Sequence, residues 1–131
     1  MTFLLQREVV ERLAAKPGTK AYGRLSVMVQ YNCEAKALFT VSPVAFNPPP
    51  KVESALIRLT PWRSLPYPAN DERVFAHLVK QAFSQRRKTL KRVLQAEIDT
   101  SGFMHADIDP MRRAETLSVA EFVKLANEIR T

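Results

Sequence analysis

The 131-residue chain contains one cysteine, two histidines and three glycines, and each scarcity removes a class of protein. A lone thiol, Cys33, makes no internal disulfide, so the fold must rest on packing; Cys33 reads as a small buried hydrophobe. One cysteine with His77 and His105 makes no zinc pattern. The glycines, Gly18, Gly23 and Gly102, include no Gly-x-Gly pair, so no phosphate-cradling turn of the dinucleotide-binding type can be placed. No run of about 18 apolar residues is present to span a bilayer. The opening MTFLLQREVVERL lacks the basic, apolar and small-residue zones of a signal peptide. These absences point to a cytoplasmic setting without a membrane partner.

What is present is a core and an excess of positive charge. Apolar residues make up 46% of the chain, enough for one ordinary domain or two small halves. Twenty Lys plus Arg against 13 Asp plus Glu give a net charge of +7, which suits a polyanionic partner. The excess is spread: residues 1–60 carry eight basic and four acidic groups, and residues 61–131 carry twelve and nine. Local clustering has to locate the contact surface.

Thr2 to Leu5 reads as a strand that passes straight into a helix, QREVVERLAA, with Val9, Val10, Leu13 and Ala14 at helical spacing. KPGTKAYG, residues 16–23, breaks that helix. Residues 22–33 fit two templates: Leu25, Met28, Val29 and Asn32 suit a helix, and Leu25, Val27, Val29 and Tyr31 suit a strand. The helix is favoured. ALFTV (37–41) and VESALIRLT (52–60) are strand-like and read as an antiparallel pair across a proline-rich loop. Pro61 to Asn70 holds three of the nine prolines and reads as the boundary between a unit over residues 1–60 and a helical unit over 61–131, a surface connector within one domain being the alternative.

In the second unit Asn70 is a candidate N-cap, with Asp71 and Glu72 in the first turn and Phe75, Leu78, Val79, Ala82 and Phe83 on one face. Leu90, Val93, Leu94 and Ile98 form a second stripe. Asp109-Pro110 marks another helix start, and SVAE (118–121) is a capping box before Phe122, Val123, Leu125, Ala126 and Ile129.

Residues 86–92 hold five cations, Arg86, Arg87, Lys88, Lys91 and Arg92. One unbroken helix over 71–98 would put Arg86 on the stripe of Val79, Phe83 and Leu90 and bury its charge, which is costly. A break is expected, with Ser84 as the N-cap of a new helix. Its first turn would then carry Arg86, Arg87 and Lys88 against the helix dipole, a conflict that a phosphate relieves. Arg112 and Arg113, just after Pro110, repeat the device. A solvated basic face is the alternative.

The stretch AFNPPPKV (45–52) imitates the Asn-Pro-Pro-aromatic signature of enzymes that methylate amino groups on nucleic-acid bases. The aromatic residue, Phe46, stands before the asparagine instead of after the prolines, so Asn47 has no claim to that role. Five blocks nevertheless follow in order: MTFLLQREVVERL, KAYGRLSVMVQY, FNPPPKVESALIRL, AFSQRRKTL and DPMRRAETLSV. Together they resemble the ribosomal RNA adenine dimethyltransferases over essentially the whole chain, above all the bacterial small-subunit branch. The erythromycin-resistance methyltransferases share the Phe-x-Pro-x-Pro-x-Val loop but less of the helical tail.

The resemblance implies an α/β plus α fold: the C-terminal part of a seven-stranded methyltransferase sheet, beginning at its fifth strand, then a small all-helical RNA-binding domain. It implies S-adenosylmethionine as cofactor of the full-length enzyme. The cofactor's Gly-rich turn, its ribose-binding acid and an Asn-Leu-Pro-Tyr type motif are missing, so this chain alone is expected to bind no methyl donor and to be inactive, as a fragment or a truncated product. The implied partners are small-subunit ribosomal RNA and the small ribosomal subunit. Phe46 matches the family's loop phenylalanine, which stacks on a target adenine flipped out of its helix. Arg86, Arg87, Lys88 and Arg113 match basic positions implicated in ribosomal RNA contact; Arg24 and Lys51 are weaker candidates. A non-catalytic RNA-binding or ribosome assembly module is the second reading, and a helical DNA-binding domain a third that leaves residues 1–60 without a role. An apolar edge of a cut sheet is expected to favour self-association.

Overall fold

The computed structural model describes residues 1–41 and 53–129. Strand β1 (Thr2–Gln6) enters helix α1 (Arg7–Leu13) without a linker. Gln6 provides no side-chain cap. The first helical N–H, from Arg7, donates instead to the Glu53 carbonyl at 2.9 Å, and the Arg7 guanidinium bridges Glu11 at 2.9 Å and Glu53 at 2.7 Å. The strand-to-helix junction is therefore held by the start of a strand distant in sequence.

The ambiguous segment resolves as helix α2 (Arg24–Asn32), and strand β2 (Cys33–Val41) follows at once, four residues earlier than the apolar run suggested. Val27 and Tyr31, four apart, are both buried, which is the helical spacing. Strand β3 (Ser54–Pro61) lies between the other two in the order β1-β3-β2 and is antiparallel to both. Thr2 pairs with Arg58 and Gln6 with Ser54 on one side; Cys33 pairs with Pro61 and Val41 with Ser54 on the other, with an irregularity between Ala37 and Phe39. The expected antiparallel pair is present.

Alternation along β3 puts Ala55 and Ile57 against Val10 and Leu13 of α1, a small core of four buried residues. On the opposite face Leu56 stands between its partners Leu4 and Phe39, which are 46% and 62% exposed. Cys33 is half-buried.

A larger core of 20 buried residues sits around helices α3 (Glu72–Ala82) and α6 (Val119–Asn127) and reaches back to Tyr22, Val27 and Tyr31. Its aromatic rings meet in pairs: Tyr31 with Phe75 at 4.5 Å, Phe83 with Phe122 at 5.6 Å and Tyr22 with Phe83 at 6.2 Å. Between them lie the short helices α4 (Leu90–Val93) and α5 (Thr100–Ala106). Among the described residues no helix is long and apolar enough to cross a membrane.

The capping box is present: the Glu121 N–H donates to Ser118 Oγ at 3.2 Å, and the Ser118 N–H donates to Glu121 Oε1 at 3.0 Å. Three expected helix starts are displaced. Helix α3 is capped by Asp71, whose carboxylate accepts from the Arg73 N–H at 2.9 Å; Asn70 instead gives its backbone N–H to the Asn127 side chain. Ser84 caps nothing. Residues Phe83–Gln85 continue α3 as a tighter turn, and the Ser84 hydroxyl donates back to the Gln81 carbonyl at 2.6 Å. Asp109-Pro110 opens a turn and not a helix, with Asp109 Oδ1 accepting from the Met111 N–H. The pattern also misses α5, although Asp99 caps it through the Gly102 N–H at 2.9 Å and Asp107 closes it in the left-handed conformation at φ 58°. At seven residues, α5 is too short to show a clear apolar stripe.

Candidate nucleic-acid interface

The break expected in the basic segment is real, but its geometry is different. Arg86, Arg87 and Lys88 lie in the turn between α3 and α4, not in a helical first turn. The helix that follows has only four residues, and its leading N–H groups are taken. Leu90 donates to the Arg112 carbonyl and Lys91 to the Pro110 carbonyl, both at 2.8 Å. No anion is needed there, so the phosphate device first assigned to residues 84–88 is not formed.

What the fold makes instead is a cleft of about 900 Å³ at the start of α2, where Arg24, Arg86, Arg87 and Arg113 converge from three distant segments. Helix α2 is set against α1 by buried contacts. Ser26, fully buried, donates to the Arg12 carbonyl and accepts the Gly23 N–H at 3.1 Å, and the Gln30 amide donates to the Leu13 and Ala15 carbonyls at 2.8 Å each. Gly23, the N-cap, has no side chain to satisfy the helix's first N–H groups. That end of the helix carries its positive dipole and lines the cleft together with the arginines.

The four arginines are not equivalent. Arg86 is half-buried, and its Nη2 donates to the Tyr22 carbonyl at 2.7 Å and the Lys20 carbonyl at 3.3 Å, with Glu115 Oε2 also at 3.3 Å. Arg24, Arg87 and Arg113 are exposed, and their side chains engage no partner among the described residues. Lys20 and Arg12 also line the cleft. Sequence reasoning missed both, because Lys20 sits in a segment legible only as a helix breaker and Arg12 lies on a helix with balanced charge. Two acidic residues of α1, Glu8 and Glu11, line the cleft as well.

Lys88, Lys91 and Arg92 are exposed and do not line the cleft. Arg112, expected to repeat the phosphate contact, is turned inward. It makes a two-pronged pair with Glu121, Nη1 to Oε2 and Nη2 to Oε1, the latter at 3.1 Å, and Nη2 donates to the Thr116 carbonyl at 2.7 Å. The hydrogen bond from Arg112 holds the Glu121 carboxyl below its ordinary range. Burial raises the Tyr22 hydroxyl above its usual value; its oxygen has no hydrogen-bond partner among the described residues.

Phe46, Asn47 and Lys51 lie outside the described residues. The chain that carries them joins two paired strand ends, since Val41 pairs with Ser54. A methyl-donor cradle does not fit the residues present. At the direct strand-to-helix junction, Gln6-Arg7, no glycine stands and the Arg7 N–H is already committed to Glu53. Gly18 occupies a turn at φ 86°, Gly23 caps α2, and Gly102 packs on Ile98 within α5.

Comparison with known proteins agrees with this partial architecture. The family model described as "Ribosomal RNA adenine dimethylase" matches residues 1–131. The chain is 52% identical over 129 residues to ribosomal RNA small subunit methyltransferase A of Pseudomonas aeruginosa, covering 98% of this chain and 48% of that protein. It is 54% identical over 129 residues to the protein of the same name from Chromohalobacter salexigens, covering 98% and 46%. Among solved structures it is similar to a dimethyladenosine transferase from Plasmodium falciparum, with a TM-score of 0.78 at 23% identity over 95% of this chain and 54% of that one. A second, the 23S rRNA methyltransferase ErmE, has a TM-score of 0.72 at 19% identity over 98% and 53%. The chain spans about half the length of the curated relatives it matches. It belongs to the ribosomal RNA adenine dimethylase family.

Proposed function

We propose that this chain is the C-terminal part of a small-subunit ribosomal RNA adenosine dimethyltransferase and supplies RNA binding and a base-stacking loop to the whole enzyme. The observation that carries the reading is the convergence of Arg24, Arg86, Arg87 and Arg113 on one cleft at a helix start. Guanidinium groups and backbone N–H groups together suit RNA phosphates. Lys88, Lys91 and Arg92 add exposed positive charge outside the cleft. In this reading residues 1–60 complete a seven-stranded methyltransferase sheet and residues 61–131 form the RNA-binding domain. The setting is cytoplasmic and the partner is the small ribosomal subunit.

S-adenosylmethionine, bound by the other part of the enzyme, supplies the methyl group. The adenine amino group is a poor nucleophile because its lone pair is delocalised into the ring, so the base must be extruded and held. Phe46 serves that purpose by stacking, an interaction worth about 1–3 kcal/mol per ring. In the full-length enzyme Phe46→Ala should cut methylation strongly and leave cofactor affinity nearly intact; unchanged turnover would remove Phe46 from the site.

The RNA contact is tested on this chain directly. Several phosphate contacts require binding that falls steeply with salt, by about one unit of log–log slope per contact. Replacing Arg24, Arg87 and Arg113 together by alanine should flatten that slope by about three units. Binding insensitive to salt and to the triple substitution would overturn the reading. A second reading, a non-catalytic RNA-binding or ribosome assembly module, is favoured for the chain in isolation by the poor fit of its junctions and glycines to a methyl-donor site. Both readings expect the isolated chain to bind no S-adenosylmethionine, and tight binding in a titration would overturn that shared expectation. The stripe of exposed Leu4 and Phe39 with half-buried Leu56 between them is the surface through which self-association would run, and sedimentation of the purified chain would reveal it.

A further inference from the structure

We infer that Arg86 is the positioning residue of the cleft, a strut that sets where Arg24, Arg87 and Arg113 stand, and not one of its phosphate contacts. This deepens the RNA-binding reading above and rests on it. Arg86 Nη2 is shared among the Tyr22 carbonyl, the Lys20 carbonyl and the Glu115 carboxylate, at 2.7, 3.3 and 3.3 Å. Its guanidinium carbon stands 5.9 Å from the centre of the Phe83 ring, and Nη1 runs beside Gly23, 3.9 Å from where a Cβ on that residue would be. Glu115 grips the same segment from its backbone, because the Gly18 N–H donates to the Glu115 carbonyl at 2.7 Å.

The segment from Gly18 to Gly23 is therefore tied at both ends of its course to the helical part, and Arg24 follows it directly. The start of α2, the turn with Arg87 and the segment with Arg113 all line the cleft. Arg86 is the side chain that links the segment before α2 to Glu115 from the turn after α3. Glu115 offsets much of its charge, which is a poor arrangement for gripping a phosphate and a good one for a fixed brace. The guanidinium plane matters too: set 5.9 Å from the centre of the Phe83 ring, it fixes the direction of Nη2 toward its three acceptors, and a lysine ammonium on its flexible stem has no such plane.

The two roles separate on a charge-preserving substitution. The full 131-residue chain, with Arg86→Lys, Arg86→Ala, Arg87→Ala and Arg113→Ala, would be titrated with a labelled hairpin of small-subunit ribosomal RNA at several salt concentrations, alongside thermal unfolding. If Arg86 positions the others, Arg86→Lys weakens binding about as much as Arg86→Ala, on the order of tenfold, and flattens the salt slope by more than the roughly one unit a single contact contributes. Arg113→Ala, costly in the native background, then costs much less in the Arg86→Lys background, as expected of coupled residues. Should Arg86→Ala fail to fold, the lysine variant carries the same test.

Retention of affinity by Arg86→Lys, with effects that add to those of Arg113→Ala, would make Arg86 a direct phosphate contact and overturn the inference. A lowered unfolding temperature with affinity and slope unchanged would overturn it as well, leaving a role in stability alone. If Arg87→Ala and Arg113→Ala leave binding of the native chain unaltered, the RNA reading itself fails and the positioning role falls with it.

Discussion

Arg86-Arg87 and Arg112-Arg113 are identical dipeptides that the fold divides in the same manner. In each, the first guanidinium is bound inside the molecule: Arg86 to the Tyr22 and Lys20 carbonyls, Arg112 to Glu121 and the Thr116 carbonyl. In each, the second is exposed and lines the cleft. At Arg113 the backbone is extended, with φ −103° and ψ 154°, and successive side chains of extended backbone point to opposite sides. Net charge is the same for both members of a pair, but the free energy each contributes is different. An arginine whose donors already hold carbonyls and carboxylates stabilises the fold; one surrounded by water is available to a polyanion.

Removing the inward members should have the largest effect on stability. Arg112→Ala leaves Glu121, whose side chain is 28% exposed, without its strongest partner, and the loss should be about 1–3 kcal/mol, measured by urea unfolding. The cost should depend on pH. The Glu121 carboxyl is held low in the folded protein by Arg112, so the native pair contributes fully above the ordinary glutamate value of about 4.3. That contribution is lost as pH falls through the lower folded value. The stability gap between the native chain and Arg112→Ala should therefore narrow on acidification, and a gap constant with pH would assign the cost to packing instead.

A neighbouring pair at a helix start sharpens the same contrast at smaller cost. Asp71→Ala should destabilise by about 1 kcal/mol, because its carboxylate accepts the first N–H groups of α3. Asn70→Ala should stay within about 0.5 kcal/mol, since Asn70 contributes its backbone N–H to Asn127 and not a cap. Thermal unfolding of the two variants side by side checks the assignment.

The smallest effects on stability belong to the outward arginines. Arg87→Ala and Arg113→Ala should each shift unfolding by less than about 0.5 kcal/mol. Each should nonetheless lower the salt slope of RNA binding by about one unit, read by titration at several ionic strengths. A large loss of stability at either position would erase the distinction between inward and outward members.

Much of the local structure was legible in the residues themselves. The apolar stripe of Phe75, Leu78, Val79 and Ala82, the capping box at Ser118 and the antiparallel pairing of β2 with β3 depend on periodicity and on groups three or four residues apart. The break after α3 was legible too, because burying Arg86 unpaired is too costly to be tolerated. Its form was not. Ser84 has the chemistry of a cap, but Phe83 must reach Phe122 and Tyr22, and that packing carries the helix one turn past Ala82. Asn70 and Asp71 are both competent caps, and contact with Asn127 on another helix decided between them.

The sequence by itself determined the helical face, the excess of positive charge and the order of blocks that identifies the family, since all of these are written in neighbouring residues. Only the tertiary structure decided which cations are available. Arg86 finds its acceptors at Tyr22 and Lys20, more than 60 residues away, and the cleft exists because residues near 24, 86 and 113 are brought together by a core they do not themselves form. Hydrogen bonds between side chain and distant backbone depend on the packing of whole helices, and nothing in a local pattern encodes them.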